Sequence, residues 1–161
     1  MPSQGKDLNK GVYVTPRAFL KAVNTVWPIG WDLACDETNN ALVAIHGVVF
    51  RMDGFTERDN ALAMVWNQTT DWNWANPPYS DIEPWVKKAY EESLLGAKIV
   101  MLLPQSHDAN WARDWVTGKC LCLDVMGRLK FSGAKTAYPK GLMLCVYAKG
   151  LVGRGEFEWR D

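Results

Sequence analysis

The feature that most constrains the fold of this chain is a continuous apolar run at residues 99–103 (IVMLL), which Pro104 stops. A strand with one face in water alternates apolar and polar residues, whereas a strand covered on both faces is hydrophobic throughout. Covering both faces of a sheet is typical of folds with helices on either side. The run therefore predicts a central strand of an α/β sandwich.

Helical and strand-like segments alternate along the rest of the chain. Thr15 is predicted as the N-cap of a first helix, with Pro16 at the first helical position, and residues 80–83 (SDIE) have the capping-box pattern. Five helices are expected, at residues 17–27, 41–46, 57–66 and 108–117 and from the capping box to about residue 95. Six strands are expected, at residues 31–35, 48–50, 70–75, 99–103, 120–125 and 142–147. This alternation predicts a mostly parallel sheet flanked by helices, with ligands beyond the carboxyl ends of its strands.

The length and composition favour one soluble domain over residues 1–161. No apolar run approaches the roughly 20 residues that a membrane span needs, and the first eleven residues lack the apolar stretch of a secretory signal peptide. The four cysteines have no CxxC spacing, and His46 and His107 are widely separated, so no metal site is expected. We expect a cytoplasmic protein with reduced thiols and no membrane segment.

Charge is unevenly distributed although the chain has 18 basic and 18 acidic residues. Residues 31–118 hold six basic and thirteen acidic residues, whereas residues 119–154 hold seven basic and one acidic. This pattern suits a partner with negative charge but not a protein that coats nucleic acid. Chance unevenness on a solvated surface is the alternative.

The tetrapeptide Asn76-Pro77-Pro78-Tyr79 follows a predicted strand and precedes a predicted helix. Two successive prolines fit neither a helix interior nor a central strand, so they impose a rigid turn without two backbone donors. The Asn76 side-chain carbonyl and the Pro77 carbonyl can then accept from one amino group, beside the flat face of Tyr79. The tetrapeptide therefore predicts a site for a planar ring that carries an amino group, the alternative being a simple strand end.

The chain resembles the amino-group DNA methyltransferases, whose catalytic motif is (Asp/Asn/Ser)-Pro-Pro-(Tyr/Phe). It is more closely similar to the small phage DNA N6-adenine methyltransferases, the phage Dam family. The segments that carry the resemblance occur in order over nearly the whole chain: residues 13–16 (YVTP) with 19–20, 31–36 (WDLACD) with Asn39, 76–80 (NPPYS) with 85–86, 102–104 (LLP) and 127–131 (GRLKF).

The resemblance implies a Rossmann-like methyltransferase fold that uses S-adenosylmethionine. It places Thr15, Asp32, Ala34, Cys35 and Asn76 at the cofactor, with Asp32 holding the methionine ammonium. The segment after the first strand lacks the usual glycine-rich loop, a departure that the phage family shares, and its small side chains still allow close backbone approach. The acid that binds the ribose is left open among three residues: Asp53, Glu57 and Asp59.

The implied chemistry needs neither a metal nor a covalent intermediate. The catalytic residues are those of the motif, Asn76, Pro77, Pro78 and Tyr79: the Asn76 and Pro77 carbonyls accept from the exocyclic amine of adenine, and Tyr79 stacks on the flipped base. Candidates to assist stacking are Trp72 and Trp74, beside the motif. His107, which follows the end of the strand at residues 99–103, is a candidate to touch substrate. Four other tryptophans are expected in the core: Trp27, Trp66, Trp85 and Trp115.

The basic residues Arg128, Lys130 and Lys135 are the candidate nucleic-acid contacts, in a loop that also holds Lys140, Phe131 and Tyr138. Basic and aromatic residues together suit phosphate contacts and base stacking, the alternative being a solvated hairpin. Double-stranded DNA is the expected partner, and a homodimer is possible. The length leaves little room for a separate target-recognition domain, so residues 105–118 and 127–140 are the candidates for sequence preference.

Two other functions remain open at this point. The same tetrapeptide occurs in methyltransferases that act on RNA bases or on protein glutamine. A non-catalytic nucleic-acid-binding relic of the fold is the alternative from a different class. The DNA sequence methylated is not fixed by these residues, and GATC is suggested by the resemblance alone.

Overall fold

The computed structural model describes residues 14–36, 39–47 and 53–160. This part of the chain contains helices α1 Arg17–Val26, α2 Ala41–His46, α3 Glu83–Leu94 and α4 Asn110–Trp115, and strands β1 Ile29–Asp32, β2 Trp72–Ala75, β3 Ile99–Pro104, β4 Leu121–Val125, β5 Leu142–Tyr147 and β6 Gly153–Phe157. Two short 3₁₀ turns, Glu57–Asp59 and Ala61–Ala63, precede β2. The predicted strand at residues 48–50 lies outside the described residues.

The strands form one six-stranded sheet in the order β1-β2-β3-β5-β4-β6. Neighbours pair in parallel except at β5, which is antiparallel to both β3 and β4. The α/β architecture is therefore as predicted, but the predicted mostly parallel sheet is not confirmed, because two of the five pairings between the described strands are antiparallel. The reason is the connection from β4 to β5: a parallel neighbour usually needs a helical crossover, whereas residues 126–141 form a loop.

The apolar run of β3 is buried on both faces of the sheet, as the sequence predicts. Ile99, Met101 and Leu103 belong to one hydrophobic core with α3 and α4, whereas Val100 and Leu102 belong to a second core with α1 and α2. All six residues of the strand are buried. The sheet therefore separates two cores and holds the ends of β1, β2 and β3 in fixed positions.

Two helix starts differ from the sequence predictions. Pro16, not Thr15, occupies the N-cap position of α1, and no side chain caps that helix. Ile82 precedes α3 without a side-chain cap, so the predicted capping box at residues 80–83 does not form. A capping box is instead formed by Thr56 and Asp59. The hydroxyl of Thr15 is thereby available for a contact elsewhere.

The predicted helix at residues 57–66 is instead two 3₁₀ turns, which Asn60 separates with a φ of 52°. The left-handed region is unfavourable for most residues but tolerated by asparagine. Strand β6 was not predicted, because four of its five residues are exposed and two are glycine. An edge strand of this kind lacks the apolar alternation on which sequence prediction depends.

Within the described ranges, no helix is both long and apolar enough to cross a membrane. The same residues contain no cluster of three or more His, Cys, Asp or Glu side chains arranged to hold a metal ion.

Candidate active site

The site lies where the parallel strands β1 and β2 end at the same edge of the sheet. Asp32 pairs with Trp74, and the backbone N–H of Leu33 donates to the Trp74 carbonyl at 2.8 Å. The residues that follow the two strands, 33–36 and 76–79, are consequently neighbours. This is the edge at which α/β sheets bind ligands.

A cavity of about 420 Å³ opens at this edge. Of the predicted site residues, Ala34, Cys35, Asn76 and Pro78 line it, whereas Thr15, Asp32, Pro77 and Tyr79 do not. The rest of the lining is contributed by three neighbouring segments and α3: Leu33, Asp36, Asn39, Phe55, Thr56, Glu57, Asn60, Ala61, Leu62 and Trp85. The structure therefore joins the first strand end and the Pro-Pro motif in one cavity.

Asn76 is held by a residue 61 positions away along the chain. Its side-chain Nδ2 donates to the Thr15 hydroxyl at 3.0 Å. Thr15 is buried, at 6% exposure. Because the nitrogen end of the amide faces Thr15, the carbonyl oxygen Oδ1 is at the opposite side of the amide group.

Asp32 lies behind the cavity wall with both carboxylate oxygens engaged. Oδ1 accepts from the Ala34 backbone N–H at 3.0 Å, and Oδ2 accepts from the Ala41 N–H at 2.8 Å. Burial raises the pKa of Asp32 to about 6, and these two N–H groups only partly offset that effect. Asp32 therefore shapes the loop after β1 and holds the first backbone N–H of α2, whose N-cap is Asn40, while its contact with a cofactor ammonium stays a prediction.

Gly54 brings a third segment into the site. The Phe55 N–H donates to the Asp32 carbonyl at 2.8 Å, and the Cys35 N–H donates to the Phe55 carbonyl at 3.0 Å. A Cβ on Gly54 would lie 2.6 Å from both the Asp32 carbonyl oxygen and the Cys35 Sγ. The close approach needs glycine, a requirement that sequence analysis missed because it depends on a neighbour in space.

Of the three candidate acids for the cofactor ribose, Glu57 is the one that lines the cavity. Asp59 is occupied elsewhere, since its Oδ2 accepts from the Thr56 N–H at 2.8 Å and from the Thr56 hydroxyl at 3.2 Å. Asp53 is absent from the lining. Asn60, with its left-handed backbone, is a lining residue that the sequence did not reveal.

Cys35 is a neutral part of the cavity wall. Burial, together with the negative charge of the nearby Asp32, raises the pKa of its thiol to about 12. The thiol Sγ lies 3.4 Å from the Phe55 carbonyl. A thiolate nucleophile is therefore not formed there at neutral pH, and the small side chain leaves room for a ligand.

Tyr79 connects the motif to β3 and to the basic loop. Its hydroxyl donates to the Leu102 carbonyl at 3.1 Å. Its ring meets that of Tyr138 edge-to-face with centroids 5.8 Å apart, and Tyr138 meets Phe131 in the same way at 5.8 Å. The loop between β4 and β5 thus packs against the end of the Pro-Pro motif.

The predicted nucleic-acid residues in this loop are all exposed, but they differ in their contacts. The Arg128 guanidinium donates to the Tyr138 and Pro139 carbonyls, so it closes the loop on itself. Lys140 Nζ donates to the Ser106 hydroxyl at 2.7 Å, which ties the loop to the segment after β3. In the described structure, Lys130 and Lys135 are the two basic residues of the loop that lack a side-chain hydrogen bond of this kind.

The tryptophans are mostly structural. Trp27, Trp66 and Trp85 are buried as predicted, and Trp115 is half-buried. Trp74 is 2% exposed within a core, and Trp72 is half-buried beneath the Lys98 ammonium, so neither lines the cavity. His107 also lies outside the lining, 3.5 Å from Asp124.

Comparison with known proteins identifies the family of this chain. Residues 2–143 match the family model of the DNA N-6-adenine-methyltransferase (Dam). No curated protein and no solved structure matches the chain. Since the matched residues include the strand ends, the Pro-Pro motif and the basic loop, the chain belongs to the DNA N-6-adenine-methyltransferase (Dam) family.

Proposed function

We propose that this protein transfers the methyl group of S-adenosylmethionine to the N6 amino group of adenine in double-stranded DNA. One observation carries the proposal: Asn76, the first residue of the Pro-Pro motif, lines the same cavity as Ala34 and Cys35 after β1. The acceptor for the amine and the expected cofactor site are therefore adjacent. The Rossmann-like methyltransferase fold is part of this proposal, supported by the sheet order and the position of the cavity.

The cavity suits the cofactor in size and in chemistry. A volume of about 420 Å³ is within the range of pockets that hold drug-sized ligands. Phe55, Leu62 and Trp85 offer an apolar wall for an adenine ring, and the Glu57 carboxylate is an acceptor for ribose hydroxyls. Two carboxylates supply negative charge for the methionine ammonium. Asp36 lines the cavity, and Asp32 lies behind its wall.

When bound, S-adenosylmethionine supplies an electrophilic methyl group on a positively charged sulfur. The exocyclic amine of adenine is a poor nucleophile, because its lone pair is delocalised into the ring. The Asn76 and Pro77 carbonyls accept its two N–H groups and localise that lone pair on nitrogen. A neutral amide is not a strong base, so the amine proton would leave to water once the methyl group had passed from sulfur to nitrogen, with the electrons of the broken S–C bond staying on sulfur.

The target base must leave the duplex to reach this site. The ring of Tyr79 is the proposed stacking surface, and Lys130 and Lys135 are the proposed phosphate contacts. Arg128 contributes charge while it holds the loop shape. A homodimer would extend this surface, and light scattering with and without DNA tests that possibility.

The experiment is a methyl-transfer assay with radiolabelled S-adenosylmethionine on three substrates: duplex DNA, RNA and a glutamine-containing protein. We expect label in DNA alone, released as N6-methyladenine after digestion. Label only in RNA or protein would overturn the proposal in favour of those substrates. Absence of cofactor binding by calorimetry would indicate a non-catalytic relic. Sequencing of methylated DNA then gives the recognition sequence and tests GATC.

A further inference from the structure

We propose that Thr15 is a positioning residue that holds the amide of Asn76 with its oxygen towards the target amine. The observation is the hydrogen bond from Asn76 Nδ2 to the Thr15 Oγ1, at 3.0 Å. The inference rests on the proposed function, because it assigns Thr15 a role at the same site. It differs from the cofactor contact that the family resemblance implies for Thr15.

The two ends of an asparagine amide have nearly the same shape but opposite hydrogen-bonding character. Oδ1 accepts from an amine, whereas Nδ2 would present N–H groups to the N–H groups of the amine. A rotation of 180° would therefore replace an attractive contact by a repulsive one. Asn76 acts as an acceptor only when one orientation is favoured.

Thr15 favours the productive orientation by offering an acceptor to the nitrogen end. When an amine occupies Oδ1, the Nδ2 group is partly buried and needs a partner. A buried donor without a partner is unfavourable, because it has given up its hydrogen bonds to water. The Thr15 hydroxyl provides an acceptor for this group and retains its own proton for donation.

The hydroxyl is placed for this contact by its surroundings. Thr15 is buried and does not cap α1, because Pro16 takes that position. Val14, the residue before Thr15, is held in place because its carbonyl accepts a hydrogen bond from the Ser132 N–H at 3.0 Å. Phe19 then anchors the first turn of α1 in the core at 0% exposure. Thr15 thus presents a preorganised acceptor to a residue from a distant part of the chain.

The test compares Thr15→Val, which removes the hydroxyl at equal shape, with Thr15→Ser, which retains it. Thr25→Val is the matched control, because Thr25 is exposed and its hydroxyl donates to the Lys21 carbonyl within α1. We expect kcat for adenine methylation to fall roughly 10–100-fold in Thr15→Val, from misorientation at the reacting centre. The Kd for S-adenosylmethionine should stay within about twofold, Thr15→Ser should recover most of kcat, and Thr25→Val should match wild type.

A second arm uses Asn76→Asp, whose two carboxylate oxygens both accept. That side chain has no wrong orientation, so Thr15→Val should cost much less in the Asn76→Asp background than in wild type. A non-additive double-mutant cycle is the signature of this coupling. Equal losses in both backgrounds would overturn the orienting role.

A third readout does not depend on activity. In ¹⁵N-labelled protein, hydrogen exchange of the Asn76 side-chain amide should accelerate in Thr15→Val but not in Thr25→Val. Unchanged kcat and unchanged exchange in Thr15→Val would overturn the inference while leaving the proposed function intact. A weakened cofactor Kd with unchanged kcat would overturn it in favour of a cofactor contact. A wild-type protein inactive on adenine DNA would overturn the proposed function instead, with exchange still reporting the Thr15 contact.

Discussion

The hydroxyl of Tyr79 donates to the backbone carbonyl of Leu102 at 3.1 Å, and so joins the Pro-Pro motif to the carboxyl-end half of β3. Leu102 is fully buried, so its carbonyl is a fixed acceptor. The bond restrains the Tyr79 ring, whose orientation Tyr138 of the basic loop also restricts. The ring of Tyr79, the proposed stacking surface for a flipped base, is therefore held from two sides.

This geometry separates the structural hydrogen bond of Tyr79 from its proposed role in base stacking. We expect Tyr79→Phe to retain the ring for stacking and to lose only a part-buried hydrogen bond, at a cost of about 1 kcal/mol in the free energy of unfolding. Tyr79→Ala should in addition weaken binding of the flipped base by about 1–3 kcal/mol. Urea denaturation and fluorescence of a 2-aminopurine target base measure the two effects. Equal base flipping in Tyr79→Ala and Tyr79→Phe would remove Tyr79 from the base site.

Asn76→Ala should remove methyl transfer while leaving the fold and cofactor binding nearly intact. The proposed role of the side chain is to accept from the reacting amine, and removing one such preorganised electrostatic contact typically costs roughly 100–1,000-fold in rate. Single-turnover methylation gives the rate, and thermal denaturation with cofactor calorimetry verifies the fold and the site. Near-normal turnover by the folded variant would disprove the role.

Asp32 should make the protein less stable as pH rises. Its pKa is about 6 when folded, against 3.8 for the ordinary group. Between these values the folded state keeps a proton that the unfolded state loses, so the free energy of unfolding falls with increasing pH. The destabilisation begins near pH 4 and is nearly complete above pH 6. The difference of about two units between the folded and unfolded pKa corresponds to about 3 kcal/mol in the free energy of unfolding.

The measurement is urea denaturation of wild type and Asp32→Asn at intervals from pH 4 to pH 7. The stability of the variant relative to wild type should improve by about 3 kcal/mol over that range. If the cofactor ammonium contacts Asp32, saturating S-adenosylmethionine should suppress the pH dependence in wild type, and Asp32→Ala should bind it more weakly. Equal cofactor affinity in Asp32→Ala would confine Asp32 to the structural role.

Glu57 should contribute to cofactor affinity and Asp59 should not. Glu57→Gln keeps the shape but removes the charge that strengthens hydrogen bonds to ribose hydroxyls, so we expect the Kd for S-adenosylmethionine to rise about tenfold. Asp59→Asn is the matched control, since it removes the same charge but keeps an acceptor for Thr56. Calorimetry compares the two. A larger loss in Asp59→Asn would reverse the assignment of the ribose acid.

Lys130 and Lys135 should anchor DNA through charge. Their double replacement by alanine should weaken duplex binding and reduce the slope of log affinity against log salt by about 0.9 for each phosphate that the variant no longer neutralises. Cofactor affinity should be unchanged. Lys149→Ala, which removes one charge at another exposed position, is the control for a general effect of surface charge.

Arg128→Ala should behave differently, because its guanidinium also closes the loop. We expect that variant to lower kcat as well as DNA affinity. Unchanged affinity and salt slope in the double lysine variant would make the loop an ordinary solvated hairpin. A loss confined to one DNA sequence would indicate base reading instead.

Local physical rules let the sequence determine much of this protein. The unbroken hydrophobicity of residues 99–103 fixes a strand buried on both faces, because no partly solvated strand tolerates it. The two prolines after Asn76 fix a turn at a strand end, because they limit backbone angles and remove donors. Hydrophobicity and backbone restriction act over a few residues, so a single sequence reveals them.

The tertiary structure alone decided which distant residues meet. Thr15 has the local sequence pattern of a helix cap. Its hydroxyl instead accepts a hydrogen bond from Asn76, because the packing of α1 places it beside the Pro-Pro motif. Glu57 reaches the cavity rather than Asp59 because Gly54 lets its segment approach β1 and Asp59 caps a turn. Such contacts depend on the distance between backbones in the folded sheet, a quantity that no local window of the sequence contains.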